Sequence, residues 1–224
     1  MVKGKIAEVF KSIQGEGLYL GEKQVFVRFF DCNLGCKFCD TKLTHFSEYG
    51  AEELFEELKT YDHPIHSISF TGGEPLLQKD FLKEVLRLAH QHGFKNYLDT
   101  NGTLADELEE TIADLDIIAM DLKLPSSTGL NNFWDAHRRF LKIASRKEVF
   151  LKAVICESTE KKDLEEALKL IKETNRYAAL VLQPDSNAGH SWINEKLEGF
   201  RDLCNDNGVT TCIIPQIHKM VGVR

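Results

Sequence analysis

The sequence predicts an α/β protein in which a parallel sheet, covered by helices, curves into a partial, laterally open barrel. Three observations predict it. Strand-like and helix-like segments alternate with little linker between them, the order that builds parallel sheets through crossover helices. The chain has 224 residues, whereas a closed eight-fold barrel runs to about 250, so roughly six to seven units are expected. Polar and glycine-rich clusters fall just after the expected strands, where α/β folds collect their chemistry. No internal repeat or low-complexity segment divides the chain, and a single domain over residues 1–224 is expected.

The elements follow in order. Gln24–Phe30 is a short apolar run and the first expected strand, preceded by the polar run Ser12-Ile13-Gln14-Gly15-Glu16-Gly17. Residues 51–61 carry Leu54, Leu58 and Tyr61 at helical spacing. Ser67–Phe70 reads as a strand ending at Thr71-Gly72-Gly73. Residues 79–92 place Phe81, Val85 and Ala89 on one helical face, with Gly93 as the stop. Residues 96–98 read as a strand, turning at Asp99-Thr100-Asn101-Gly102, and 105–113 as a short helix. Strands at 116–120, 149–155, 178–182 and 210–214 alternate with helices at 131–143, 162–174 and 194–204. Asp121-Leu122-Lys123, Gln183-Pro184-Asp185-Ser186 and Pro215-Gln216-Ile217-His218-Lys219 each follow a strand, and Lys152 lies within one.

Composition narrows the class. Hydrophobic residues are 42% and charged residues 28% of the chain, as in a soluble globular domain. No apolar run approaches the length of a membrane span. Met1-Val2-Lys3-Gly4-Lys5 is not followed by an apolar leader, so a cytoplasmic protein is expected. The net charge of −7 and the lack of a long basic block argue against a phosphate-binding track for nucleic acid.

Cys32, Cys36 and Cys39 form a C-x3-C-x2-C run. Three thiolates so close together can hold three irons of a [4Fe–4S] cube and leave the fourth open to a cofactor. Zinc is the competing reading, with His45 near enough to be a fourth ligand, although zinc sites commonly use two C-x2-C pairs. A disulfide leaves one cysteine over and does not suit a chain without a leader. Cys156, Cys204 and Cys212 lie singly among apolar residues and are expected to be buried free thiols. His45, His63, His66, His90, His92, His137 and His190 form no ligand pattern.

Gly72-Gly73-Glu74-Pro75 is the second anchor. Glycines let backbone approach a ligand closely, and a strand end offers carbonyls to an ammonium group. Alone, the run reads as a turn. After C-x3-C-x2-C it resembles the motif by which radical S-adenosylmethionine (SAM) enzymes hold the methionine amino group. Adding Ser12–Gly17, Phe26-Val27-Arg28-Phe29, Cys39-Asp40-Thr41 and Pro215–Lys219, the chain resembles the 7-carboxy-7-deazaguanine synthases of the queuosine pathway from Phe10 to Arg224.

The resemblance implies a radical-SAM-type open barrel and a set of roles. Cys32, Cys36 and Cys39 would ligate a [4Fe–4S] cluster whose open iron takes SAM. Phe38, Cys39 and Asp40 would lie beside the adenine. Gly73 would contact the methionine moiety, with Glu74 orienting that edge. Asp121, Leu122 and Lys123, with Gln183, Pro184, Asp185 and Ser186, would line the rest of the SAM pocket. Ile13, Gln14, Gly15, Glu16, Thr71, His218 and Arg224 would meet a pterin substrate, and Arg28 would pair with its carboxylate, a task suited to a guanidinium. Thr41 would give its hydroxyl oxygen to Mg2+. The family often carries Ser-Pro-Lys where this chain has Asp121-Leu122-Lys123, and Asp121 accepting from a ribose hydroxyl would replace the serine.

The implied reaction converts 6-carboxy-5,6,7,8-tetrahydropterin to 7-carboxy-7-deazaguanine and ammonia. The implied partners are a second copy of the chain and a reductant such as flavodoxin or ferredoxin, with no direct contact to nucleic acid or membrane. Two other readings are another radical SAM chemistry, such as a glycyl-radical activase, and a non-catalytic metal-binding or electron-transfer module. Gln14–Gly17, Arg28 and Gln216-Ile217-His218-Lys219 weigh against an activase, which must admit a protein loop.

Overall fold

A single sheet organises the chain. In a computed structural model describing residues 2–39, 43–186 and 190–222, its strands are β1 (Lys3–Ile13), β2 (Lys23–Phe29), β3 (Ser47–Gly50), β4 (Ser67–Gly72), β5 (Asn96–Thr100), β6 (Ile117–Asp121), β7 (Glu148–Ile155), β8 (Leu180–Pro184) and β9 (Thr211–Ile213). The spatial order is β3-β1-β2-β4-β5-β6-β7-β8-β9. From β2 through β4 to β9 every neighbouring pair is parallel. β1 pairs antiparallel with both β2 and β3. The strand order leaves β3 and β9 at its two ends, so the barrel is open at its side.

The crossovers are helical, and each buries the stripe its spacing dictates. They are α1 (Ala51–Leu58), α2 (Lys79–Gln91), α3 (Ala105–Thr111), α4 (Pro125–Thr128), α5 (Trp134–Ala144), α6 (Lys161–Thr174) and α7 (His190–Asp206), and α8 (Ile217–Val221) follows the last strand. On α2 the buried residues Phe81, Leu82, Val85, Leu86 and Ala89 recur every three or four positions. Its end is set by Gly93, whose φ of +80° is the left-handed conformation that glycine adopts without strain. α6 buries Leu164, Ala167, Leu168, Leu170 and Ile171 in the same way. These stripes and the outward strand residues form one large core between sheet and helices.

Inside the barrel, period-two alternation puts residues i and i+2 on one face. Tyr97, Ile117, Ala119, Phe150 and Val181 pack together as a small inner core. Two residues further along the same strands come Asp99, Asp121, Lys152 and Gln183, all lining a cavity. The lower barrel is therefore apolar and plugged, and the upper barrel is polar and open.

Three expectations are corrected. The sheet does not begin at Gln24: β1 precedes it, and Ser12 and Ile13 end that strand. Its apolar alternation is masked because it lies next to the edge strand and buries only Gly4, Ile6 and Phe10. The short elements β3, α4 and α8 carry too few residues to show a period. Cys212 is not a buried thiol, since it lies on edge strand β9 and is partly exposed, whereas Cys156 and Cys204 are buried.

Candidate active site

The cavity, about 380 Å³, lies at the C-terminal ends of the parallel strands. Cys32, Cys36 and Cys39 line one side, in the loop that leaves β2. None of the three is in a disulfide among the described residues. Burial raises the Cys36 thiol pKa while Lys123 opposes it, and the charges of Cys32 and Cys39 act on it too. Among the described residues no three potential ligands gather about one point. A cube does not require that, because each sulfur binds a different iron. The donor set, three thiols in one loop facing one cavity, fits a [4Fe–4S] cluster with one open iron.

The loop is seated on the end of β4. The Gly73 amide donates to the Phe29 carbonyl at 2.9 Å, and the Glu74 amide to the Asp31 carbonyl at 2.8 Å. A Cβ on Gly73 would stand 1.8 Å from the Asp31 carbonyl oxygen. Both glycines line the cavity, yet what Gly73 must admit at close range is the cysteine loop's own backbone.

Glu74 is a correction: it is fully buried and does not line the cavity. Its carboxylate accepts from the Thr100 hydroxyl at 2.9 and 3.0 Å, the Asn101 amide at 2.8 Å and the Leu76 amide at 3.1 Å. It ties the ends of β4 and β5 together. Burial outweighs those donors and pushes its pKa up to about 7.

In the same cavity the buried Lys152 is paired with two half-buried acids. Lys152 Nζ lies 2.9 Å from Asp99 Oδ1 and 3.2 Å from Glu16 Oε2. The Gln216 amide donates to Glu16 Oε1 at 2.6 Å. Burial favours a neutral Lys152, but Asp99 and Glu16 outweigh it and hold the ammonium well above its ordinary pKa. Burial also works to raise both acids. Lys152 and the Gln216 bond reverse this for Glu16, whose pKa is lowered. Asp99, repelled by Glu16 and Asp121, stays raised.

Asp121 ends β6, between the strands that carry Asp99 and Lys152, and its Oδ2 is bonded to Lys123 Nζ at 2.7 Å. Lys123 lies over the Phe38 ring, 5.4 Å from its centroid. Asp121 Oδ1 and Gln183 Oε1 are buried acceptors without a hydrogen-bond partner among the described residues. Both belong to cavity-lining residues, and acceptors so placed fit the amino and ribose hydroxyl donors of a nucleoside cofactor.

The remaining expected residues divide cleanly. Phe38, Ile13, Gln14, Gly15, Glu16, Arg28, Thr71, Asp185 and His218 line the cavity. Leu122, Pro184 and Ser186 do not. The Leu122 side chain is buried in the main core, and the Ser186 hydroxyl oxygen accepts from Lys219 at 2.8 Å. Asp40, Thr41 and Arg224 lie outside the described residues. Arg28 is steadied by Glu8, 3.1 Å from its Nε. Its guanidinium lies over Phe10, 5.6 Å from the ring centroid. Phe10 in turn stacks on Phe26, centroids 5.2 Å apart and planes at 12°. Phe10, Phe26, Asp99, Asn101, Lys152 and Gln216 all line the cavity without an assigned role from the sequence. Strand register, which gives Asp99, Asp121 and Lys152 one face, is the signal that could have found Asp99 and Lys152.

An open parallel barrel with three thiols at its mouth defines the class, a radical SAM enzyme, and residues 27–176 match the Radical SAM superfamily. Within it the chain belongs to the 7-carboxy-7-deazaguanine synthase family. The synthase of Geobacter sulfurreducens is 35% identical, covering 97% of each chain. Those of Archaeoglobus fulgidus and Thermoplasma acidophilum are 32% and 35% identical, the first covering all of both chains and the second 96% of each. Among solved structures, QueE from Escherichia coli matches the fold with a TM-score of 0.66 at 18% identity, over 94% of this chain and 93% of that one. A domain of pyruvate-formate lyase-activating enzyme from Bacteroides vulgatus matches with 0.56 at 20% identity, over 66% of this chain and 98% of that one. The shared fold extends to a domain of an activase, whereas the three full-length relatives named above are synthases.

Proposed function

We propose that the chain converts 6-carboxy-5,6,7,8-tetrahydropterin to 7-carboxy-7-deazaguanine and ammonia by radical ring contraction. The observation that carries this reading is the single cavity in which the cysteine loop faces Arg28, Gln14, Glu16 and the Lys152–Asp99 pair. When bound to Cys32, Cys36 and Cys39, a [4Fe–4S] cluster with SAM on its open iron supplies the carbon radical that removes a hydrogen atom from substrate.

The rest is the work of this chain's residues. Asp121 Oδ1 and Gln183 Oε1 accept from the polar hydrogens of SAM, and Gly73 faces its methionine end. Arg28 holds the pterin carboxylate, and the Phe10–Phe26 stack offers a flat wall to its ring. Loss of ammonia requires proton transfer. Asp99, which lines the same cavity and whose proton affinity is raised, is the group suited to take and return a proton. Lys152 holds Asp99 in place, and the apolar inner core beneath excludes water from below.

The finer parts of the reading rest on the family pattern. They are Mg2+ on the Thr41 hydroxyl, contacts of Arg224 and His218 with substrate, and a homodimer. A one-electron donor such as flavodoxin or ferredoxin serves the cluster. The product enters queuosine synthesis in the cytoplasm. Among the described residues no helix is long and apolar enough to cross a membrane.

The test is an anaerobic assay of reconstituted protein with SAM, dithionite, Mg2+ and 6-carboxytetrahydropterin, read by mass spectrometry. The expected result is 7-carboxy-7-deazaguanine without stoichiometric loss of SAM. Release of 5′-deoxyadenosine without that product would keep the radical chemistry and reject the substrate.

A further inference from the structure

Asn101 follows β5 and is buried, yet its side chain reaches the exposed start of the cysteine loop. Its Nδ2 donates to Asn33 Oδ1 at 2.8 Å and lies 3.9 Å from the Cys32 sulfur. Its Oδ1 accepts from the Thr103 amide at 3.1 Å and hydroxyl at 2.6 Å. Asn33 Nδ2 donates to that hydroxyl oxygen at 3.0 Å, which closes a ring of three side chains. The backbone of Asn101 is pinned from behind. Its amide donates to Glu74 at 2.8 Å, and its carbonyl lies 3.2 Å from Nε2 of the buried His137 on α5. One residue thus has a rigid frame on its main-chain side and the cysteine loop on its side-chain side.

We infer that Asn101 is a positioning residue for the cluster, anchoring the first cysteine of the loop to the end of β5 and directing an N–H donor at the Cys32 sulfur. The inference rests on the radical SAM reading of the three cysteines and not on the identity of the substrate. An anchor of this kind slows the opening by which a loop-bound cluster is lost. A donor to a ligand sulfur stabilises the more negative, reduced cluster and so raises its potential.

The experiment compares reconstituted parent protein with Asn101→Ala, Asn101→Asp and Asn33→Ala. The first readout is the rate of iron loss to a chelator. Both alanine variants are expected to lose iron about fivefold faster, the size of one net hydrogen bond. The double variant is expected to fall short of the product of the two single effects, because the two residues share one bond. The second readout is the midpoint potential in a redox titration followed by electron paramagnetic resonance. It is expected to fall in Asn101→Ala, to fall further in Asn101→Asp, where a carboxylate replaces the donor, and to move least in Asn33→Ala. Asn33 is exposed, so its variant keeps the retention arm informative if an Asn101 variant folds poorly. Parent-like iron loss and potential in the variants of a loaded protein would overturn this inference alone. A parent chain that takes up no iron and sulfide would overturn it together with the radical SAM reading.

Discussion

Glu74 and Lys152 show how single buried charges set behaviour that can be measured. The Glu74 carboxyl has its pKa raised from 4.5 to about 7. Between those values the folded chain holds a proton that the unfolded chain releases, so stability falls as pH rises through that window and is level above it. The size is on the order of 3 kcal/mol. In Glu74→Gln this decline should shrink by that amount in denaturation curves taken from pH 4 to 8, and an unchanged decline would assign it elsewhere. Lys152 acts in the opposite sense. Lys152→Met strands Glu16 and Asp99 without their cation, at a cost of about 3–5 kcal/mol near neutral pH. That cost should lessen toward pH 5, as the two acids take up protons, and a pH-independent loss would point to packing instead. The cysteines and the Gly72-Gly73 pair were legible as residues because their chemistry depends on spacing along the chain. Lys152, Asp99 and Asn101 were not, because their partners come from other strands. Glu74 was legible as a motif member but its direction was not: the run could not show that its carboxylate turns inward to Thr100 and Asn101.

At the scale of elements, the seam between the β2 loop and the end of β4 seats the cysteines. Gly73→Ala would force a Cβ to within 1.8 Å of the Asp31 carbonyl oxygen. Both sides of that clash are main chain, so the cysteine loop must shift rather than a side chain turn aside, at a cost of about 1–3 kcal/mol. The variant should fold, judged by circular dichroism, but bind only a small fraction of the parent's iron after reconstitution. Full iron binding with weakened SAM affinity would instead make Gly73 a ligand contact alone. The elements most legible in the sequence were those that bury one complete face, as α2 and α6 do. β1 was hidden because an element next to the sheet edge buries few of its residues, and Glu8 falls in the row of Gly4, Ile6 and Phe10 and breaks the apolar alternation. The expected start of α5 at residue 131 moved to Trp134, where the apolar stripe continuing to Phe140 and Leu141 begins.

Across the whole molecule, an open barrel must still close its cavity, and the two ends of the chain meet to do so. The turn after β1 and the segment after β9 join at the cavity mouth. The Ile217 amide donates to the Gly15 carbonyl at 2.9 Å, and Gln216 bonds Glu16 at 2.6 Å. The His218 ring packs where a Gly15 side chain would stand, with a Cβ there 2.3 Å from its Nδ1. This clasp is joined to Lys152 through Glu16. Loosening it should therefore affect the pterin and spare SAM. In Gln216→Ala, loss of one hydrogen bond to a charged acceptor, worth about 1.5–3 kcal/mol, predicts a KM for the pterin raised roughly tenfold or more. Gly15→Ala should raise it too, by displacing His218, a side chain able to move aside. In both variants the rate of reductive SAM cleavage without substrate should stay at the parent value, because the cysteine loop, Asp121 and Gln183 are untouched. If SAM cleavage fell together with pterin binding, the cavity would be one cooperative unit. An unchanged KM would mean that the clasp joins the ends of the chain without shaping the substrate wall.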